Sequence, residues 1–249
     1  MVQKFNLIII GDELLNGRRS DCHLPNMIEL MAERGLELYR SLMIGDTPEL
    51  IIETLRSLHE ANNIVFCFGG IGATPDDYTR QCAAQAFSVP LLVHEQGKKI
   101  LEDKFGDQAY PHRIHMVTIP SGSRLIPNPY NNIPGFSYEH FHFVPGFPQM
   151  AKPMIAWVLD TYYQDLSPAM PLVRRSLLVY GKNEGELVDL MNALLTKYAD
   201  IKLSCLPRID VQKTYVELSV LGDPSQIDSV YQYMVAELDA MSAEWQQAP

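Results

Sequence analysis

Three times in the first third of the chain, an apolar run stops at glycine and aspartate and gives way to an amphipathic stretch. Phe5 to Ile10 leads into Gly11-Asp12-Glu13-Leu14-Leu15-Asn16-Gly17, and residues 36–44 lead into Gly45-Asp46-Thr47-Pro48-Glu49. Ile64 to Phe68 leads into Gly69-Gly70-Ile71-Gly72-Ala73-Thr74-Pro75-Asp76-Asp77. Short apolar runs bounded by glycine and followed by helical periodicity are the pattern of buried parallel strands joined by helices. The expected fold class is therefore α/β. In open parallel sheets ligands bind beyond the carboxyl ends of the strands, so Asp12, Asp46, Asp76 and Asp77 are expected to converge on one crevice.

The third junction is the richest in chemistry. Glycines let backbone N–H groups approach a ligand closely, and a helix N-terminus behind them favours an anion, so phosphate is the natural guest. Two carboxylates at the same place tolerate that guest best if a divalent cation bridges them. Helix capping accounts for the same residues, with Thr74 as N-cap, Pro75 at the first helical position and Asp76 and Asp77 in the first turn of a helix running to Phe87.

Elsewhere the periodicity predicts a helix over residues 24–34 with Gly35 as its C-cap, and helices to Leu58, to Phe105 and to about Tyr163. A formal charge of −10 over 249 residues argues against a nucleic-acid or anionic-membrane surface, so any phosphate must be held by local groups. Cys22, Cys67, Cys82 and Cys205 lack metal-site spacing and read as reduced thiols without structural zinc. The amino terminus runs straight into a strand with no leader pattern, and no apolar run approaches the ~20 residues of a membrane span, so a cytoplasmic location is expected. His94, His112, His115, His140 and His142 read as solvated or internally satisfied, not as a metal set.

Residues 119–136 form a long loop rich in turn formers, a length more often functional than idle. A strand over residues 140–144 then meets Pro145-Gly146-Phe147-Pro148-Gln149-Met150, another junction with free N–H groups. Residues 165–171 read as a prolyl linker. Beyond it, strands over 175–180, 201–205 and 214–221 and helices over 184–198 and 224–241 make a small βαββα domain, with a frayed tail at Trp245. The expected domains are 1–166 and 172–249.

These motifs coincide with those of a known family. Gly11 to Gly17 matches its Gly-x-Glu-Leu-Leu-x-Gly, and Ile44-Gly45-Asp46 its hydrophobic-Gly-Asp. Gly69 to Thr79 is similar to its Gly-Gly-Leu-Gly-Pro-Thr-x-Asp-Asp-x-Thr, and residues 119–136 and 145–150 are similar to its Ile-Pro-x-Gly, Asn-Pro-x-Gly and Pro-Gly-x-Pro segments. Over nearly its whole length the chain resembles the N-terminal region of CinA (competence/damage-inducible) proteins, which share a molybdopterin-binding fold with MoaB and MogA. The departures are Ala73 for proline, Asn131 for glycine, Met150 for glutamate, and Asp21-Cys22-His23 for Asp-Thr-Asn. Asn131 can still adopt the left-handed conformation of the glycine it replaces.

The resemblance implies a three-layer α/β/α, mostly parallel sheet followed by a small α+β domain. It implies hydrolysis of a nucleotide pyrophosphate, ADP-ribose first among them, aided by a divalent cation (Mg, Mn or Co) and potassium. Asp46, Asp76 and Asp77 would hold the cation or orient water, with Asp77 the most important. Gly11, Asp12, Glu13, Gly69, Gly70, Gly72, Thr74, Asn128, Asn132, Gly135, Pro145 and Gly146 would line the ligand. The alternative is a protein that binds molybdopterin without cleaving a nucleotide. Self-association into a homo-oligomer is expected by analogy. The family's separate C-terminal amidohydrolase domain, which acts on nicotinamide mononucleotide, is expected to be missing from a chain that ends at Pro249, so that activity is not carried over.

Overall fold

The computed structural model describes residues 4–61, 63–166, 172–209 and 214–248. The chain divides into two units, residues 1–167 and 168–249. Of the expected prolyl linker, residues 167–171 lie outside the described residues.

The first unit runs β1 (Phe5–Ile10), α1 (Asp12–Leu15), α2 (His23–Ala32), β2 (Leu38–Ile44), α3 (Pro48–Glu60), β3 (Ile64–Phe68) and α4 (Thr79–Ala86). It continues with β4 (Leu91–Val93), α5 (Glu95–Phe105), β5 (Thr118–Pro120), β6 (Arg124–Ile126), β7 (Gly135–Tyr138), β8 (Phe141–Val144) and α6 (Pro148–Tyr162). Six strands form one sheet in the order β2-β1-β3-β8-β7-β6. Neighbours from β2 to β8 pair in parallel, and β7 and β6 extend the sheet antiparallel. Phe5, Leu7, Ile9, Phe66 and Phe68 pack under α2 and α6, while Ile8, Ile10, Val65 and Cys67 pack under α3 and α4. This is the expected three-layer α/β/α fold. Every residue of β1 and β3 is buried, which explains their unbroken apolar runs; the sheet-edge strand β2 alternates. Asn6, the polar exception in β1, donates to Lys4 O (2.8 Å) and Asn63 Oδ1 (3.1 Å).

The expected long loop over residues 119–136 is shorter than its composition indicated, because β5, β6 and β7 occupy its ends and only residues 127–134 remain between β6 and β7. Among the described residues no helix is long and apolar enough to cross a membrane.

The second unit contains β9 (Val173–Tyr180), α7 (Val188–Lys197), β10 (Lys202–Ile209), β11 (Thr214–Gly222), α8 (Pro224–Ala240) and β12 (Glu244–Gln247). Its antiparallel sheet has the order β10-β11-β9-β12. The tail at Trp245 is therefore not frayed. It pairs with β9, whose edge would otherwise be open, and its indole donates to Asp239 Oδ1 at 2.8 Å. The helix expected from residue 184 opens as a 3₁₀ turn, Glu184–Leu187, held by an Asn183–Glu186 capping box.

His142 is wholly internal to the first unit, between Ser137 Oγ (2.8 Å) and Tyr163 Oη (2.6 Å). Burial, helped by nearby Arg124 and His140, pushes its imidazole down to about 3. The unfolded chain takes a proton near pH 6.5 that the folded protein refuses, so this group's stability is present above that value and is lost as pH falls towards 3. Acidification from pH 7 to 5 is expected to cost about 2 kcal/mol through His142. Urea midpoints across that range would show the slope, and His142→Gln should flatten it; equal slopes in both proteins would overturn this assignment.

Candidate functional site at the strand ends

The carboxyl ends of β1, β3 and β8 meet at Gly69. Its φ of 101° excludes a side chain, as does the 2.3 Å that a Cβ there would leave to Ile10 O. Its N–H donates to Val144 O at 3.0 Å, and the Cα of Gly69 lies against Gly146. Gly70 follows with φ 65° and packs on Thr79, whose hydroxyl donates to Gly69 O at 3.0 Å. From residue 70 to residue 73 the backbone N–H groups meet no acceptor among the described residues. Successive unpaired N–H groups in such a turn form an anion-binding concavity.

The expected helix start at Thr74 is overturned, because α4 begins at Thr79. Thr74 does not cap it. Instead, Asp77 Oδ2 accepts from the Thr74 N–H (2.9 Å) and hydroxyl (2.5 Å), and the Asp77 N–H returns to Thr74 O at 3.0 Å. The segment closes on itself as a turn and carries the Asp77 carboxylate back beside Gly72.

At the ends of β1 and β2, Asp12 and Asp46 clasp one another: the Asp12 N–H donates to Asp46 Oδ2 (2.9 Å) and the Asp46 N–H to Asp12 Oδ1 (3.2 Å). Each carboxylate keeps its second oxygen. Burial raises the pKa of Asp46 against the opposing Asp12 N–H, and the charges of Asp12, Glu13 and Asp76 add to the rise. Glu13 folds back over Gly11. The expected trio of Asp46, Asp76 and Asp77 does not form a protein-only metal cage; among the described residues no three His, Cys, Asp or Glu stand together as one. Asp77 is turned onto Thr74, Asp46 is paired with Asp12, and Asp76 is exposed. The donor set still fits a hard divalent cation that takes one or two carboxylate oxygens and completes its shell with phosphate and water.

Gly72, Asn128 and Pro145 line an adjoining cavity of about 230 Å³ with Ile71, Phe147 and Met150. Asn131 and Met150 touch there, amide to sulfur at 3.5 Å. Asn131 is not left-handed; Asn132 is, at φ 61°. Asn132 lines a second groove with His94 and Trp157, which shares Asn128 and Pro134 with that cavity. Asn128 serves the chain itself: it is buried, donates to Ile133 O (3.0 Å) and accepts from the Tyr130 N–H (3.0 Å). Gly135 is likewise internal, because a Cβ there would stand 2.4 Å from Phe143 O.

Sequence reasoning missed Arg80. It is 3% exposed, donates to Gly72 O (2.7 Å), Thr118 O (3.2 Å) and His115 O, and ties the glycine turn to a segment some 35 residues away. Burial lowers its pKa, opposed by the charge of Asp77. Its position one residue after the glycine-aspartate motif was the only signal.

Comparison with known proteins agrees with this architecture. The family described as "Probable molybdopterin binding domain" matches residues 6–165. A CinA-like protein of Geotalea uraniireducens is 28% identical over 88% of this chain and 54% of its own length. A protein of Pyrobaculum calidifontis is 24% identical over 81% of this chain and 80% of its own. The chain spans about half the length of the CinA-like relatives it matches. A CinA structure from Thermoplasma acidophilum, titled as of unknown function, superposes with a TM-score of 0.57 at 24% identity, over 64% of this chain and 97% of that one. That likeness bears on the fold.

Proposed function

Because this chain belongs to the molybdopterin-binding domain family, with CinA-like relatives, we propose that its strand-end crevice is a cation-dependent pyrophosphatase site for ADP-ribose or a related dinucleotide. The observation that carries this reading is the run of unpaired N–H groups over residues 70–73 with carboxylates beside it. A phosphate on that turn receives several hydrogen bonds at once. Asp46 and Asp12, each with one oxygen uncommitted, would hold a divalent cation against the other phosphate. That cation would supply charge neutralisation as the P–O bond breaks. Asp77, fixed by Thr74 through one oxygen, has the other with which to orient the attacking water.

A second reading, pterin binding without cleavage, is favoured by the mostly apolar cavity of about 230 Å³ beside Gly72, whose walls of Ile71, Pro134, Phe147 and Met150 suit a flat ring. One assay separates the two. Release of AMP from ADP-ribose, FAD, NADH and diadenosine polyphosphates would be followed with Mg²⁺, Mn²⁺ or Co²⁺, beside Asp77→Asn. Cation-dependent release that falls by about 10²-fold in the variant is expected. No release with any cation, while molybdopterin still raises the melting temperature, would replace hydrolysis by binding.

A further inference from the structure

Next to the anion-binding turn lies a slot of about 70 Å³, lined among others by Glu13, Arg19, Ser20, His23 and Gly146. His23 is 5% exposed and its ring packs on Phe68 at 4.7 Å. Its Nε2 lies 3.3 Å from Gly146 O. A carbonyl oxygen only accepts, so Nε2 carries the hydrogen and Nδ1 presents a bare lone pair. That Nδ1 is buried and has no partner among the described residues. Burial lowers the ring's pKa against the opposing charges of Asp21 and Glu13, which keeps this acceptor form at neutral pH. The Glu13 carboxylate, folded over Gly11, also accepts no hydrogen bond from the described residues. His23 and Glu13, both in the slot wall, thus each carry an acceptor to which no donor is paired among the described residues, with Arg19 and Ser20 in the same wall.

An unpaired buried acceptor such as His23 Nδ1 costs free energy unless a donor arrives, and the half-buried Glu13 carboxylate stands beside it. The complement is a group with two adjacent donors that fits a volume of about 70 Å³. Two hydroxyls fit, since a water's share of liquid volume is about 30 Å³; a fused bicyclic ring does not. The slot and the glycine turn share the end of β8 through Gly146. We propose that His23 and Glu13 bind the vicinal diol of a ribose whose phosphate sits on the turn at residues 70–73. His23 is then a specificity-determining residue for ribonucleotides. The inference rests on the strand-end reading of the site and names which part of the ligand that site selects.

The test uses ADP, which carries one ribose and one diphosphate, against 2′,3′-dideoxy-ADP, with inorganic pyrophosphate as a third probe. Calorimetric titration of the full chain in Mg²⁺ is expected to show ADP bound at least about tenfold more tightly than the dideoxy analogue. In His23→Phe, which keeps a ring against Phe68, that ratio should fall to within about twofold while pyrophosphate binding persists. His23→Asn, whose amide oxygen still accepts, should retain part of the ratio. Equal binding of ADP and its dideoxy form by the unaltered protein would overturn the diol assignment and leave the pyrophosphate site standing. A ratio unchanged in His23→Phe would overturn it too, and would assign the slot to an ordered water. Failure of all three probes to bind would overturn the diol assignment and the strand-end site together.

Discussion

Arg80→Met is expected to destabilise the first unit by about 3 kcal/mol or more and to lower its melting temperature by roughly 10 °C. The guanidinium is enclosed, and its fork is divided among the carbonyls of Gly72, His115 and Thr118. A thioether donates nothing, so each carbonyl loses its partner at about 1 kcal/mol or more. Arg80→Lys should fall between the two, because one ammonium on a flexible stem cannot reproduce a planar fork across three acceptors. The functional consequence follows from the same contacts. Freed from Arg80, the Gly72 carbonyl no longer fixes the peptide planes of residues 70–73, and affinity for pyrophosphate should fall even at temperatures where the variant is folded. Scanning calorimetry with pyrophosphate titration at 15 °C measures both. A melting temperature within 2 °C of the unaltered protein would show that the three carbonyls find other donors.

Arg80 also marks where sequence reading stops. The buried strands were legible because a residue covered on both faces by helices has to be apolar, and β3 was bounded to the residue. The convergence of Asp12 with Asp46 followed from strand order alone, since both lie one residue past the glycine that ends a parallel strand. The start of α4 was not legible. Thr-Pro-Asp-Asp satisfies a helix cap and a self-closing turn equally well, and the choice is made by Thr79, whose hydroxyl anchors the true helix start on Gly69 O. Burial of Arg80 depends on His115 and Thr118, which no local pattern brings near. For the same reason the internal bonds of Asn128 and the close packing of Gly135 on Phe143 O were not legible, and β12 is a strand only because β9 offers it an edge.

The other large effect belongs to Asp46, where function and stability should move in opposite directions. Its carboxylate is half-buried beside Asp12, Glu13 and Asp76, and its pKa is raised. A raised carboxylate contributes stability below the unfolded value near 3.9 and loses it as pH climbs through the folded value, so at neutral pH the ionised group costs stability. A cation held there, as proposed, would offset that cost. Asp46→Asn retains an oxygen for the Asp12 N–H, removes the charge, and is expected to melt higher than the unaltered protein at pH 7.5 without cation. At pH 3.5, below the ordinary carboxylate value, the difference should shrink. The added melting temperature that Mg²⁺ gives the unaltered protein should be lost in the variant, and cation-dependent AMP release should drop by about 10²–10³-fold. Melting curves at the two pH values, with and without Mg²⁺, read the electrostatics separately from the chemistry. A variant that melts lower at pH 7.5 would mean that Asp46 chiefly holds the β1 and β2 ends together, whereas unchanged AMP release would move the cation to other carboxylates.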